Sequence, residues 1–209
     1  MKTVYTVILG NYDDLKEPTV VTPGWRYVCF TDQTLTSQVW EIVPIPPGGR
    51  RAARRIKILF HEYVSTQYSL WLDASFHIRV DLDLFWNRVF HSPFTAPKHP
   101  ARSCVYQEGR SCIANNRGEP DLVQAQMDLY KLQGVPTFSN LITSGVLMRE
   151  NTPECIKLCN EWWKEMEQHS TRDQMAFVKV SQGFPLHMYH WDYSRSAELK
   201  YTKHLHLRK

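Results

Sequence analysis

Short apolar runs and amphipathic stretches alternate along the chain, and their periods predict the order of its elements. Thr3-Val4-Tyr5-Thr6-Val7-Ile8-Leu9 is a continuous β-rich run, followed by a cluster of turn formers from Gly10 to Asp14. Tyr27-Val28-Cys29-Phe30 reads as a second strand, closed by Thr31-Asp32-Gln33. Val39 to Ile45 reads as a third, stopped at Pro46-Pro47-Gly48-Gly49, through which neither a helix nor a central strand continues. From Arg50 to Tyr63 the period becomes helical: Ile56, Leu59, Phe60 and Tyr63 share one face, while Arg50, Arg54, Lys57 and His61 form a narrow stripe opposite. Ser69-Leu70-Trp71-Leu72 is a buried strand that ends abruptly at Asp73, and Phe76 to Ile78 alternates after one turn.

Downstream, Asp81 caps a helix whose apolar stripe is Leu82, Phe85, Trp86 and Val89. Pro93, Pro97 and Pro100 then break the chain, and His99 to Cys112 reads as a substrate-facing excursion around a short Cys104-Val105-Tyr106 strand. Pro120 opens and Gly134 closes a helix with Leu122, Ala125, Leu129 and Leu132 at helical spacing. Ser144 to Met148 is a further strand, and Thr152-Pro153 starts a helix with Cys155, Cys159, Trp162, Trp163 and Met166 inward. Ser170 and Asp173 have capping-box spacing before a last helix through about Val180, and the remainder is an irregular tail rich in His and aromatics. Strands alternating with helices predict one α/β layer domain.

Composition narrows this picture only a little. The chain has 209 residues, 43% of them apolar, which suits one large domain. No apolar run approaches the length of a membrane span, and no charged segment with a cleavage site precedes the first strand, so a cytoplasmic protein is expected. Five cysteines without a CxxC pair argue against a disulfide framework and a four-thiolate zinc site. Cys155 and Cys159 share a helix face and fit the core. A net charge of +4 favours anionic ligands without choosing among phosphates, nucleic acid and acidic glycans.

The candidate chemistry lies at strand tips. Ligands of open α/β sheets bind beyond the carboxyl ends of strands, which is where Asp73 falls, and Asp32 repeats the placement. Each carboxylate also has a plainer use, closing a turn or capping. Tyr12, in the loop after the first strand, is placed either to stack on a flat ligand ring or to pack as a lid. The cations that load the first turn of the Arg50 helix oppose its dipole, which an anion at the helix start would relieve. A solvated charged face is the other reading of that stripe.

Taken in order, Tyr5 to Tyr12, Val28-Cys29-Phe30-Thr31-Asp32, the Arg54 to His61 helix, Leu70-Trp71-Leu72-Asp73, His99-Pro100-Ala101-Arg102, Ser144 to Arg149, Trp162-Trp163 and Arg172-Asp173-Gln174 resemble a glycosyltransferase of the GT-A type. More narrowly, they resemble the TOD/MUCI-type glycosyltransferase-like domain, over nearly the whole chain. The resemblance implies a single GT-A-like, Rossmann-type domain over residues 1–209, with a mixed central sheet flanked by helices. Residues 1–80 would be the nucleotide-binding half, and 81–209 the acceptor-side half and tail.

It further implies a nucleotide-sugar donor held by Tyr12 and Asp32 at base and ribose, with Arg50, Arg54 and Lys57 toward the diphosphate. Asp73 would be the first acid of a DxD-type motif for Mn²⁺ or Mg²⁺. Ser75 stands where the second acid would be, and His204 is the candidate C-terminal metal ligand. Asp173 would be catalytic, by stabilising the transition state in a retaining enzyme or as the base in an inverting one. The acceptor implied is a glycan; a hydroxymethylated DNA base is a second possibility for a compact, basic chain, with the Arg50–Lys57 stripe and the Lys200–Lys209 tail tracking phosphates. Ser75 in place of an acid also keeps open a non-catalytic nucleotide- or nucleic-acid-binding module on the same scaffold.

Overall fold

The computed structural model describes residues 1–192 and 194–202 of the chain. In order, the elements are β1 (Lys2–Ile8), β2 (Trp25–Thr31), β3 (Glu41–Pro44), α1 (Arg50–Ile58), α2 (Phe60–Tyr63), β4 (Tyr68–Leu72), β5 (Phe76–Ile78) and α3 (Leu82–Val89). They continue with β6 (Phe94–Pro97), α4 (Val105–Ala114), α5 (Pro120–Leu132), β7 (Val146–Glu150), α6 (Pro153–Gln168), α7 (Asp173–Val180), β8 (His187–Tyr189) and β9 (Leu199–Tyr201).

Seven strands form one mixed sheet in the order β3-β2-β1-β4-β7-β6-β8. The first four of these run parallel, and β7 lies antiparallel between β4 and β6. Strands from either side of residue 80 are thus direct partners, Leu70 facing Met148 and Trp71 facing Leu147. β5 and β9 make a separate antiparallel ribbon. The mixed α/β architecture is the one expected from the alternation of periods.

The sheet is buried on both faces, as near-continuous apolar strands require. Tyr5, Trp71 and Leu147 point to a core shared with Ile56, Ile58, Trp162 and Phe177 of the helices, while Val4, Leu70 and Met148 point to the other, with Phe85 and Trp86 of α3. All five cysteines are buried and free. Among the described residues, no helix is long and apolar enough to cross a membrane. Asp81 caps α3 through Asp83 N and Leu84 N at 2.8 and 3.1 Å, and Thr152 caps α6 through Cys155 N, as their positions before apolar periods predict.

Several local expectations are corrected. The helix expected over 50–63 breaks at Leu59, where the backbone leaves helical geometry. Arg149, fully buried in β7, donates to the Lys57 and Ile58 carbonyls at 2.8 and 3.3 Å and so satisfies the end of α1. Cys104-Val105-Tyr106 is not a strand: Val105 begins α4, whose buried Val105, Glu108, Gly109 and Cys112 follow a helical period. Ser170 does not cap α7. Its hydroxyl bonds Gln126 instead, and the helix begins at Asp173, whose carboxylate is turned into the protein. The proline-flanked β6 and the short β8 and β9 fall where chain breaks and an irregular tail were expected; their pairing comes from β7, β6 and β5.

Candidate active site

The parallel strands β1 and β4 end at one cleft, and Asp73 stands at its centre. Its backbone N–H donates to Gly145 O at 2.9 Å, and its carbonyl accepts from Phe76 N to close the turn into β5. The side chain is turned into the cleft, Oδ1 accepting the Trp71 indole N–H at 2.8 Å. Gly145 belongs to this arrangement, because a Cβ there would lie 3.1 Å from Asp73 Oδ2 and 3.0 Å from the Phe76 ring. The turn-closing use of Asp73 and its place on the cleft therefore coexist: backbone serves the one, carboxylate the other.

Behind Asp73 lies a buried charge cluster. Lys57 Nζ is 2.7 Å from Asp173 Oδ2 and 3.6 Å from Asp73 Oδ1, and it donates to Ser144 Oγ at 3.0 Å. The Ser144 hydroxyl in turn donates to Asp173 Oδ2 at 2.9 Å, and Arg54 Nε lies 3.4 Å from the same oxygen. Trp162 Nε1 holds the Asp173 carbonyl at 2.7 Å. Burial alone would raise the Asp173 carboxyl, but the positive charges of Arg54, Lys57 and Arg172 override it and hold the group well below the usual carboxylate range. Burial pulls the Lys57 ammonium below its ordinary value, against the attraction of Asp173 and Asp73. Asp173 is thus a fixed negative charge, suited to electrostatic stabilisation and poorly suited to taking up a proton.

The loop after β1 forms the other wall. Gly10 and Asn11 both adopt left-handed backbone, with φ of 60° and 57°, and Tyr12 N bonds back to Leu9 O at 3.2 Å. Asp32 fastens this turn, its carboxylate accepting Gly10 N–H at 3.1 and 3.2 Å. The turn delivers Tyr12 to the junction of two cavities. One, of 330 Å³, lies among Leu9, Gly10, Gly48, Gly49, Ala53 and Trp71; the other, of 620 Å³, among His99, Arg102, Ser144, Gly145, Arg172 and Gln174. Tyr12, Arg50, Arg54 and Asp73 line both. The N-terminus of α1 opens here at Gly49, with no side-chain cap and no acid in its first turn. Asp32 and Lys57 line neither cavity and stand behind residues that do.

A second charged cluster, centred on Arg102 and Glu108 of the stretch expected to face substrate, lines the larger cavity. Glu108, buried on α4, pairs with Arg102 at 2.6 Å and Arg172 at 3.0 Å. Burial opposes its charge, yet Arg172 and Arg102 hold its carboxyl below the usual range. Arg172 also donates to the Gln174 amide oxygen at 3.0 Å, joining this cluster to Asp173. The signal for Glu108 was its place on the buried face of α4, which a strand assignment hides.

Residues 31–192 match the family described as TOD1/MUCI70, glycosyltransferase-like domain. The chain belongs to that family. A curated relative, the probable hexosyltransferase MUCI70 of Arabidopsis thaliana, is 24% identical over 213 residues, covering 85% of this chain and 36% of its own length. The chain thus spans about a third of that relative. A crystal structure of the galactosyltransferase LgtC with donor and acceptor sugar analogues is similar at a TM-score of 0.49 and 11% identity, over 90% of this chain and 73% of that one.

Within this TOD1/MUCI70 domain, the matched stretch holds Asp32, Arg50, Arg54, Lys57, Asp73, Ser75 and Asp173, while Tyr12 and His204 fall outside it. His204 also lies outside the described residues. Ser75 is buried beside Asp73, and its carbonyl accepts from Thr202 N and Oγ1 at 2.8 and 2.9 Å. Among the described residues, no three His, Cys, Asp or Glu side chains gather as a metal cluster. The donor set here is one carboxylate with a hydroxyl beside it. It fits a divalent cation that arrives with phosphates and keeps waters, which needs only one or two protein carboxylates, and not a caged ion.

Most cations of the Arg50–Lys57 stretch are paired within the protein. Arg54 and Lys57 face Asp173, Arg51 donates to the Met166 and His169 carbonyls, and Arg55 pairs with Glu62 at 2.5 Å. Of the cations between 50 and 57, Arg50 alone faces the cleft without a carboxylate in ion-pair range among the described residues. These pairings lend no support to the stripe as a track for a DNA backbone.

Proposed function

We propose that this domain transfers a sugar from a nucleotide-sugar donor to a hydroxyl of a glycan acceptor. The observation that carries the reading is the uncapped N-terminus of α1, with Arg50 and Arg54, opening on the same cleft as Asp73 at the ends of parallel strands. Membership of a glycosyltransferase-like family and the name of the curated relative support it.

In this reading the smaller cavity takes the nucleoside, with Tyr12 against it and Asp32 holding the Gly10-Asn11 turn behind. Arg50, Arg54 and the free N–H groups of α1 receive the diphosphate. A divalent cation, when bound, would neutralise charge developing on the leaving diphosphate, and Asp73 would hold it with Ser75 beside, His204 being the candidate third ligand. Lys57 lies behind, within ion-pair distance of both Asp73 and Asp173, and offsets the repulsion between their carboxylates. The larger cavity takes the transferred sugar and the acceptor hydroxyl, where the fixed charge of Asp173 favours a cationic, oxocarbenium-like transition state over proton abstraction.

A thermal-shift screen of UDP, GDP, CDP and ADP and their sugars, with and without Mn²⁺, followed by donor hydrolysis, tests this. Stabilisation by one nucleotide family, deepened by Mn²⁺ and accompanied by sugar release, is the expected result. A shift without turnover, with any acceptor added, would identify a binding module. No shift with any nucleotide would overturn the reading.

A further inference from the structure

A third cavity, of 680 Å³, opens on the far side of the His99–Arg102 segment. It shares His99, Pro100 and Arg102 with the transfer cavity, so the two meet along that segment. The dividing ridge is held locally, because His99 Nδ1 accepts the backbone N–H groups of Ala101 and Arg102 at 3.2 and 3.0 Å. Across from it, the half-buried Trp191 lines the third cavity and packs on Phe76, which lines the transfer cavity, with ring centroids 5.5 Å apart. One aromatic pair therefore forms a wall continuous between the two spaces.

The remaining lining is suited to hydroxyl-rich matter. Gln107 and Ser103 are exposed side chains with hydrogen-bonding ends, and Lys98 and Asp192 add charged groups to the lining. The space is as large as the transfer cavity itself and within the roughly 300–1,000 Å³ of ligand pockets. A monosaccharide acceptor would leave it empty.

We propose that this cavity is an extended acceptor subsite, so that the substrate is an oligosaccharide whose rings beyond the reacting one lie between Trp191 and the His99–Arg102 ridge. Trp191 offers an apolar face to a sugar ring, and the exposed Gln107 and Ser103 receive its hydroxyls. This inference rests on the transfer reading above.

The test uses homologous oligosaccharide series, from monosaccharide to hexasaccharide, built from neutral hexoses, pentoses or uronic acids, with the full chain and its donor. In the series the protein accepts, kcat/KM is expected to rise by roughly tenfold for each ring that fills the cavity and then level off. Trp191→Ala should abolish that rise, bringing the ratio of hexasaccharide to monosaccharide kcat/KM to about one, while Trp191→Phe keeps most of it. Gln107→Trp, a change at an exposed position, should block the cavity and flatten the series even if Trp191→Ala fails to fold. A flat series in the unaltered protein, the same rise in both blocking variants, or no use or binding of any series by protein that hydrolyses its donor would overturn the subsite. Failure to bind or hydrolyse any donor would instead overturn the transfer reading.

Discussion

The Lys57 ammonium lies 2.7 Å from the Asp173 carboxylate, and both side chains are almost fully buried. Breaking a buried pair from one side strands the other charge and typically costs about 3–5 kcal/mol. Lys57→Met is therefore expected to lower the free energy of unfolding toward the low end of that range, read as a lower urea midpoint with an unchanged slope, because Arg54 at 3.4 Å still offsets part of the Asp173 charge. Lys57→Met combined with Asp173→Leu should lose less than the two single changes added together. Strict additivity would show that the pair does not interact.

The same pair sets a pH dependence. The Asp173 carboxyl is held below its ordinary value in the folded protein, so its stabilisation is present above the unfolded pKa of about 3.9 and is lost as pH falls toward the folded one. The stability gap between the unaltered protein and Asp173→Asn should be widest near neutral pH and close progressively below about pH 5. Glu108, held low by Arg172 and Arg102, should give Glu108→Gln the same sign and window. A gap that widens as pH falls would contradict the assignment.

How much of this was readable beforehand depends on whether a residue's role is written in its period. Asp73, Asp81 and Thr152 sit at junctions where an apolar pattern starts or stops, and all three act where the pattern places them. Lys57 does not, because a lysine on a polar stripe reads as solvated, yet here the stripe faces a polar interior supplied by α7 and the loop before β7. Arg149 is invisible for the same reason: a cation in an apolar strand gives no hint that it caps a helix 91 residues away in sequence. The three-residue strands β8 and β9 have too few positions to show a period, and their pairing is long-range.

Asp32 and Tyr12 should prove coupled through the Gly10-Asn11 turn. Charge-assisted hydrogen bonds are worth about 1.5–3 kcal/mol, so Asp32→Ala is expected to weaken nucleotide binding roughly ten- to a hundredfold by loosening the turn that carries Tyr12. Calorimetric titration of the two single variants and the double variant checks this. Once Tyr12→Ala is in place, Asp32→Ala should add little. Full additivity would mean that Asp32 acts on the ligand by another route.

Gly145→Ala tests whether the placement of Asp73, and not just its presence, matters. The added methyl would sit 3.1 Å from Asp73 Oδ2 and 3.0 Å from Phe76, tighter than ordinary van der Waals contact, so one neighbour must yield by a few tenths of an ångström. Phe76 is fixed in the core, whereas the Asp73 side chain reaches into the cleft. The carboxylate should therefore move, and donor turnover should fall by one to two orders of magnitude, roughly what slight misplacement of a reacting group costs. Asp73→Asn should lose the Mn²⁺-dependent part of the nucleotide thermal shift while keeping the metal-free part. If Gly145→Ala turned over donor at the original rate with Asp73 displaced in its structure, the carboxylate would have no part in the reaction.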